Sequence, residues 1–294
     1  MNRSARRDER IGYLLILPNV VVYTVFVFIP VLFTLYLSFT NYNIFKSSWV
    51  GLRNYVLMFQ DSIFVQSIWN TVRFAVGSIV PSMAIGLLLA VLLNQSFTGR
   101  KFFRTIFFLP YVISIVSAAM AWLYILDGSP YGLLNTLVSS IGLPPRQWLL
   151  DPSLAMPSIV VMSVWIQMGF TMIVYLGGLQ SVPPELYESA RMDGASPLKM
   201  FLAITLPLLR PTTFFLVVMT TIAAFQVFGQ VYILTGGGPL NTTSTIVFQV
   251  YENGFIGYKM GYASAEAVLL LAIILAVTVV NFSYGNKGES SDLS

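Results

Sequence analysis

Long apolar stretches alternate with polar connections along nearly the whole chain. A helix that crosses a bilayer needs about 20 consecutive, mostly apolar residues, and the sequence contains six runs of this kind. They are Ile11–Ser38, Thr71–Leu93, Phe103–Leu126, Leu154–Leu179, Leu208–Leu234 and Ala263–Tyr284. The pattern predicts an all-α, polytopic membrane bundle of about six transmembrane helices over residues 11–284, preceded by a short segment, 1–10, and followed by a tail, 285–294.

One of the polar connections has a pattern of its own. In the stretch Asn54–Ile68, the apolar residues Leu57, Met58, Phe64 and Val65 would suit one face of an interfacial helix. This spacing predicts an amphipathic helix that rests on the membrane surface or packs on the bundle.

The composition is that of a chain built for lipid. Of the 294 residues, 56% are hydrophobic and 10% are charged, whereas about 25% are charged in soluble domains. The chain contains no Cys and no His, which excludes disulfides, thiol nucleophiles, Cys/His metal sites and imidazole acid–base chemistry. Because the predicted spans also hold no pair of acidic residues, an intramembrane enzyme is disfavoured.

The basic residues are distributed unevenly between the two ends of the predicted helices. Lys and Arg concentrate in cytoplasmic connections of membrane proteins. Eleven of them fall in the N-terminal segment, the second and fourth connections and the tail, where Lys287 lies, and only four fall clearly in the opposite connections. The imbalance predicts a multi-pass protein of the cytoplasmic membrane with both termini in the cytoplasm. Small scattered clusters also argue against binding to nucleic acid.

The fourth connection, residues 181–207, contains the start and stop signals of two short helices. Pro183 and Pro184 suit a first helical turn, and Gly194 suits the left-handed position that ends a helix. Ser196 followed by Pro197 predicts the start of a second helix. The residues alone leave two interpretations open, an amphipathic pair on the inner leaflet or a docking site for a partner protein.

The 181–207 loop contains Glu188-Ser189-Ala190, then Gly194 after three residues, then Ile204-Thr205-Leu206-Pro207 after nine more. This pattern resembles the EAA loop of bacterial ABC import permeases. In that family a short helix, marked by Glu-Ala-Ala, a Gly and Ile-x-Leu-Pro, engages the ATP-binding subunit. In this chain Ser189 replaces the central Ala of the motif. The resemblance implies a role in ATPase coupling for Glu188, Ser189, Ala190, Asp193, Gly194, Ile204, Leu206 and Pro207.

The resemblance extends over nearly the whole chain and is greatest to the carbohydrate branch of these permeases, which includes the maltose-type and glycerol-3-phosphate-type membrane subunits. It implies the type I importer permease fold and the partners of such systems: a second homologous permease, two ABC ATPase subunits, an extracytoplasmic solute-binding protein and membrane lipid. The sequence contains no phosphate-binding loop of the form GxxxxGK[ST], so we expect no cofactor in this chain and ATP with Mg in the ATPase subunits.

Polar side chains inside the apolar runs are candidates for a substrate path. Amides and hydroxyls match the hydroxyl groups of a sugar, and an aromatic ring covers its apolar face. The candidates are Trp165, Gln167, Thr171 and Tyr175 on the fourth run, Gln226 and Gln230 on the fifth, and Glu266 on the sixth. Packing between helices explains such residues equally well.

The charges in the runs bear on the substrate and on the energy source. An anion such as glycerol 3-phosphate would favour arginines in the cavity, and Arg73, near the end of a run, is the nearest. A neutral mono- or oligosaccharide is therefore preferred, with a glycerol phosphate compound as the alternative. An ion-coupled secondary transporter would need carboxylates near mid-membrane, and only Glu266 is available.

Overall fold

The computed structural model of the protein describes the backbone of residues 3–285 and the side chains of residues 12–283. Within these residues the chain is helical and contains no strand, which confirms the all-α prediction; Thr40 and Trp49 form one isolated bridge. The helices are α1 Arg3–Tyr23, α2 Ile29–Ser38, α3 Arg53–Gln60, α4 Ser62–Asn94, α5 Arg100–Val112, α6 Ile115–Ile125, α7 Leu133–Ser140, α8 Ala155–Gln180, α9 Pro184–Met192, α10 Pro197–Met200, α11 Leu206–Leu208, α12 Arg210–Phe225, α13 Gly229–Leu234, α14 Ile246–Tyr251 and α15 Met260–Gly285. Single π-helical turns join α1 to α2, α10 to α11 and α14 to the residues before α15. Lys287 lies outside the described residues.

In the part of the chain that the structure describes, four stretches of helix are long and apolar enough to cross a membrane. They are Gly12–Ser38, Ser62–Asn94, Ala155–Gln180 and Met260–Ser283. Two bent pairs raise the number to six if each is counted as one span: α5 with α6, bent by 99°, and Pro197–Leu208 with α12, bent by 63°. By length and composition, the prediction of about six membrane helices is confirmed.

The described residues divide into two compact units, the first formed by residues 3–61 together with Val250–Leu269, the second by Ser62–Gln249 together with residues 270–285. In the first unit, the connection after α2 is fixed by Asn54, whose Nδ2 donates to the carbonyl oxygens of Ser38 and Thr40 at 2.8 Å. The Gly261 amide donates to the Tyr42 carbonyl, and a Cβ on Gly261 would lie 2.0 Å from the Thr40 oxygen. Only glycine fits at this contact.

The prediction of one amphipathic helix over Asn54–Ile68 is wrong. Helix α3 ends at Gln60, Asp61 has extended backbone, and α4 starts at Ser62. Two apolar residues of this stretch, Met58 and Phe64, are fully buried, which agrees with packing on the protein, the second of the two expected alternatives. Tertiary packing of these side chains, which periodicity does not report, determines where the helix breaks.

The second unit is organised by close contact of α4 with α8. The Thr171 hydroxyl on α8 donates to the Ser82 carbonyl on α4 at 2.8 Å, and a Cβ on Gly86 would lie 2.0 Å from the Thr171 oxygen. On the other side of α8, a Cβ on Gly169 would lie 2.3 Å from the Phe107 carbonyl oxygen of α5. Glycines therefore allow three helices to approach closely, as is common in membrane bundles.

Two of the predicted spans are not single straight helices. The third run breaks at Ile113 and Ser114, between α5 and α6. The fifth run, predicted as Leu208–Leu234, forms α12 only from Arg210 to Phe225; residues 226–228 leave the helix before α13 begins at Gly229. Hydropathy does not detect these breaks, because the residues on both sides of each break are equally apolar.

The connection between α6 and α8 is an ordered structure around Asn135, which is fully buried. Its Nδ2 lies within hydrogen-bonding distance of the carbonyl oxygens of Ser129, Arg146 and Asp127. Its Oδ1 accepts from the Arg146 amide at 2.9 Å and from Trp148 Nε1 at 2.8 Å. One side chain thus holds three parts of this connection together.

A turn at the end of the same connection leads into α8. The Ser153 hydroxyl and the Ser153 amide both donate to the Asp151 carboxylate. These hydrogen bonds stabilise the ionised form and lower the pKa of Asp151 from its ordinary value. The turn is therefore strongest when this carboxylate is ionised, and the contribution is lost as the pH falls through the lowered pKa.

We expect Asn135→Asp to loosen this connection, because the carboxylate replaces a donor that faces three carbonyl oxygens. A buried polar group left without a partner costs about 1–3 kcal/mol, so local opening should become roughly 10- to 100-fold more frequent. Limited trypsin digestion of the purified protein measures this as faster cleavage after Arg146. Asn94→Asp, at an exposed helix end, is the control; equal cleavage rates in both variants would contradict the role of Asn135.

Candidate functional site

A pocket of about 80 Å³ lies inside the second unit, where α4, α8 and α12 meet the break before α13. Its lining is half apolar and half polar, and it contains no charged side chain among the residues that the structure describes. The lining residues are Phe74, Ser78, Ile79, Ser82, Ser163, Ile166, Gln167, Thr220, Ala223, Ala224, Val227 and Gln230.

The hydroxyl groups of the pocket already donate to their own helices. Ser78 donates to the Phe74 carbonyl at 2.7 Å, and Ser163 and Thr220 do the same to the carbonyls four residues earlier. Such bonds satisfy the proton but leave lone pairs of the hydroxyl oxygen free to accept. The pocket hydroxyls therefore present acceptors to a ligand that carries donors.

Two amide side chains complete the polar lining. Gln167 on α8 and Gln230 on α13 are half-buried, and neither makes a side-chain hydrogen bond with another of the described residues. An amide both donates and accepts. Together with the hydroxyl oxygens, these two groups give the pocket a lining of uncharged donors and acceptors.

The irregular backbone between α12 and α13 borders the pocket, and a residue that does not line the pocket donates a hydrogen bond to it. Val227 lines the pocket, and its carbonyl oxygen accepts from the Thr245 hydroxyl at 3.2 Å. Membrane proteins tolerate non-helical backbone at membrane depth only where protein or a wet cavity satisfies its polar groups. The break is therefore an ordered part of the pocket wall, with the Val227 carbonyl satisfied by a hydrogen bond.

The segment that satisfies the break is itself tied to α4. Asn70 Nδ2 donates to the carbonyl oxygens of Asn241 and Ser244 at 2.8 and 2.9 Å, and the Ile246 amide donates to the Thr71 hydroxyl at 3.0 Å. The polar start of α4 thus positions the chain that follows α13.

Only part of the predicted substrate path lies at the pocket. Gln167 and Gln230 line it. Gln226, by contrast, is exposed at the end of α12, and Trp165 packs against Trp122 with ring centroids 5.8 Å apart. The remaining three candidates lie elsewhere.

Thr171 and Tyr175 are packing residues in this structure. Thr171 is used in the contact with Ser82 described above, and Tyr175 is buried in an apolar cluster formed by residues of α4, α8 and α12 and by Leu209. Glu266 belongs to the first unit and is fully buried; its Oε1 accepts from Asn253 Nδ2 at 2.9 Å, and its Oε2 has no hydrogen-bond partner among the described residues. None of the three lines the pocket.

Sequence reasoning missed the four hydroxyl residues of the pocket, Ser78, Ser82, Ser163 and Thr220. The spacing of Ser78 and Ser82, one turn apart in an apolar run, was the available signal. The described residues contain no group of three or more acidic, His or Cys side chains placed to hold a metal ion.

The 181–207 loop forms the predicted helix pair, and its boundaries follow from the local sequence. Gly194 is left-handed with φ +75°, its amide donates to the Arg191 carbonyl, and the Ala195 amide donates to the Ala190 carbonyl. This is the Schellman arrangement that ends a helix at a glycine. Ser196 then accepts from the Lys199 amide and begins α10.

The motif residues of this loop are presented outward. Helix α9 buries none of its side chains; Glu188, Ser189 and Asp193 are exposed, and Ala190 is half-buried. Ile204, Leu206 and Pro207 follow in the turn and short helix that lead to α12, and Leu206 is exposed.

Large apolar side chains of the loop are also exposed. Met192 is 90% exposed, and Leu198 and Leu202 line an open groove of about 380 Å³ along α10. A surface that combines an acidic helix with exposed apolar side chains is typical of a protein contact.

Known proteins resemble the chain along almost its full length. It is 39% identical to the probable ABC transporter permease protein YurN of Bacillus subtilis (strain 168), over 96% of this chain and 98% of that protein. It is 36% identical to the sn-glycerol-3-phosphate transport system permease protein UgpA of Brucella abortus, with 98% of each chain covered. It is also 36% identical to the trehalose/maltose transport system permease protein MalF of Thermococcus litoralis, with 95% of each covered.

A solved structure has the same fold. The bacterial alginate ABC transporter in complex with its alginate pentasaccharide-bound periplasmic protein contains a chain that matches with a TM-score of 0.84 and 28% identity, over 95% of this chain and 94% of that one. The model of the family described as binding-protein-dependent transport system inner membrane component matches residues 82–286. The chain is therefore a membrane transport subunit, not an enzyme, and belongs to this family of ABC importer permeases.

Proposed function

We propose that this chain is one half of the permease pair of an ATP-driven importer, which carries a neutral mono- or oligosaccharide across the bacterial cytoplasmic membrane. Both termini face the cytoplasm in this proposal, as the distribution of Lys and Arg indicates. The observation that carries the substrate assignment is the pocket, whose polar lining consists only of hydroxyl and amide groups.

The lining favours a neutral sugar over an anionic substrate. Hydroxyl oxygens that accept and amides that donate and accept match the alternating groups of a sugar. A phosphate or carboxylate is normally met by Arg or Lys, and the pocket offers neither. Arg73 is exposed on α4 and does not line it. Glycerol 3-phosphate, the substrate named for one relative, is the alternative, and it would require the cations to come from the partner permease.

The 181–207 loop supports ATP as the energy source. Its capped α9, with Glu188 exposed and no side chain buried in its own chain, is a preformed surface for an ATPase subunit. ATP and Mg would be bound by two such subunits. The second permease completes the pathway, and an extracytoplasmic solute-binding protein delivers the sugar.

An ion-coupled mechanism has less support. It would need a carboxylate in the transport pocket to bind a proton or sodium ion, and the lining residues include none. Glu266 is the carboxylate within the described part of α15, and its contacts lie in the first unit.

The substrate assignment predicts distinct effects for three glutamines. Gln167→Leu and Gln230→Leu each remove one amide from the pocket, and an ordinary hydrogen bond is worth about 1 kcal/mol, so each should lower sugar uptake roughly five-fold. Uptake is measured with the complete complex in proteoliposomes, in the presence of its solute-binding protein and a panel of neutral sugars.

Gln226→Leu is the matched control, because Gln226 is exposed and does not line the pocket; its uptake should equal that of the parent. Glycerol 3-phosphate is included in the panel. Uptake of glycerol 3-phosphate without uptake of any neutral sugar, or equal effects of all three substitutions, would contradict the assignment.

The coupling role predicts that Gly194→Trp prevents assembly with the ATPase subunits. A Cβ on Gly194 meets no atom within 4 Å, so the first side-chain atom has open space in its own chain, while the left-handed backbone is strained. The amount of ATPase that co-purifies with the tagged chain should fall at least about ten-fold, because a side chain of this size prevents close packing of the partner.

Gly142→Trp controls for the backbone strain. Gly142 is also left-handed, with φ +81° and no atom within 4 Å of a Cβ, but it lies in the connection after α7, on the opposite side of the predicted membrane. Its variant should retain the ATPase. If Gly194→Trp also retains it at the parent's level, the loop is not the docking site.

A further inference from the structure

In the part of the chain that the structure describes, one side-chain hydrogen bond links α9 to another part of the fold. The Tyr187 hydroxyl lies 2.9 Å from the Thr205 hydroxyl, and either oxygen can donate. Among the described residues, no other side-chain hydrogen bond links α9 to another element. Since α9 fully buries none of its residues, this hydrogen bond is a specific contact between α9 and the turn that follows α10.

Thr205 contacts both Tyr187 of α9 and Leu209, the residue before α12. It is only 5% exposed and ends the π-helical turn Phe201–Thr205, a wide turn that is frequent at functional sites. Its carbonyl oxygen accepts from the Leu209 amide at 3.0 Å. Displacement of Thr205 therefore acts directly on the residue that precedes α12.

Leu209 connects this point to the core and to the pocket. It is fully buried among apolar side chains of α4 and α8, and a Cβ on Gly178 would lie 2.9 Å from its Cδ2. Helix α12 begins immediately after Leu209, at the 63° bend. Farther along the same helix, Thr220 and Ala224 line the pocket. A tightly packed residue, Leu209, and a continuous helix, α12, therefore connect Thr205 to the pocket.

We propose that Tyr187 and Thr205 are a positioning pair that transmits movement of α9 to α12, so that ATPase closure changes the pocket. The proposal rests on the function proposed above, in which α9 docks on an ATPase subunit. In this arrangement the docking surface and the transmission are separate: the exposed face of α9 binds the partner, and the Tyr187 hydroxyl moves the span.

The test uses the complete complex in proteoliposomes and measures ATP hydrolysis and sugar uptake in the same sample. Tyr187→Phe keeps the ring, and Thr205→Val keeps the shape, but each removes one hydroxyl. We expect uptake per ATP hydrolysed to fall about five-fold in each variant, the effect of losing an ordinary hydrogen bond, while the ATPase subunits still co-purify. The double variant should be no worse than either single one.

Two further variants separate transmission from mere stability of the fold. Thr205→Ser keeps the hydroxyl and should transport like the parent. Tyr124→Phe removes the hydroxyl of an exposed tyrosine on α6 and should also match the parent. Parent-like coupling in Tyr187→Phe, additive losses in the double variant or a loss in Thr205→Ser equal to that in Thr205→Val would overturn the proposal.

Failure of the proposed function has a different signature. In that case the parent chain would not co-purify with an ATPase, or uptake would not depend on ATP, whatever the Tyr187 variants do. If Tyr187→Phe reduces insertion into the membrane, the Thr205→Val and Thr205→Ser pair decides the question alone, because Val keeps the shape of Thr without its hydroxyl and Ser keeps the hydroxyl without the methyl group.

Discussion

The close contact between α4 and α8 is the constraint on which the second unit depends. Thr171 reaches the Ser82 carbonyl because Gly86 has no side chain in the way. Since lipid provides no hydrophobic drive for helices to associate, short-range packing and a shared hydrogen bond hold such a pair together. The same contact fixes the pocket, because Ser82 and Gln167, one turn from Thr171, both line it.

The geometry of α8 explains why the predicted polar row was only partly at the pocket. Residues four apart on an α-helix are displaced by about 40° around the axis, so Tyr175 is rotated about 80° from Gln167. Gln167 faces the pocket, Thr171 faces α4, and Tyr175 faces the apolar cluster. The sequence predicted that these residues lie near one another, but which neighbour each one meets depends on the packing of three helices.

Local signals were read correctly where the backbone itself requires a residue type. Gly194, Ser196 and Pro197 define the ends of α9 and α10 because left-handed backbone, an N-cap and a first helical turn each favour these residues. The breaks at Ser114 and at residues 226–228 gave no such signal. At the second break a distant group satisfies the freed backbone, since the Thr245 hydroxyl donates to the Val227 carbonyl, and a contact across 18 residues leaves no trace in local hydropathy.

Helix α12 runs from the end of the 181–207 loop to the pocket. Its 16 residues span about 24 Å, from the bend beside Leu209 to the break at the pocket wall. A helix held by side-chain packing moves as a rigid body more readily than it stretches, so a tilt imposed at one end reappears at the other. The irregular residues after Phe225 then accommodate that tilt without breaking a continuous hydrogen-bond ladder. On the proposed mechanism, the break in the fifth predicted span is therefore what allows a force applied at the 181–207 loop to change the shape of the pocket.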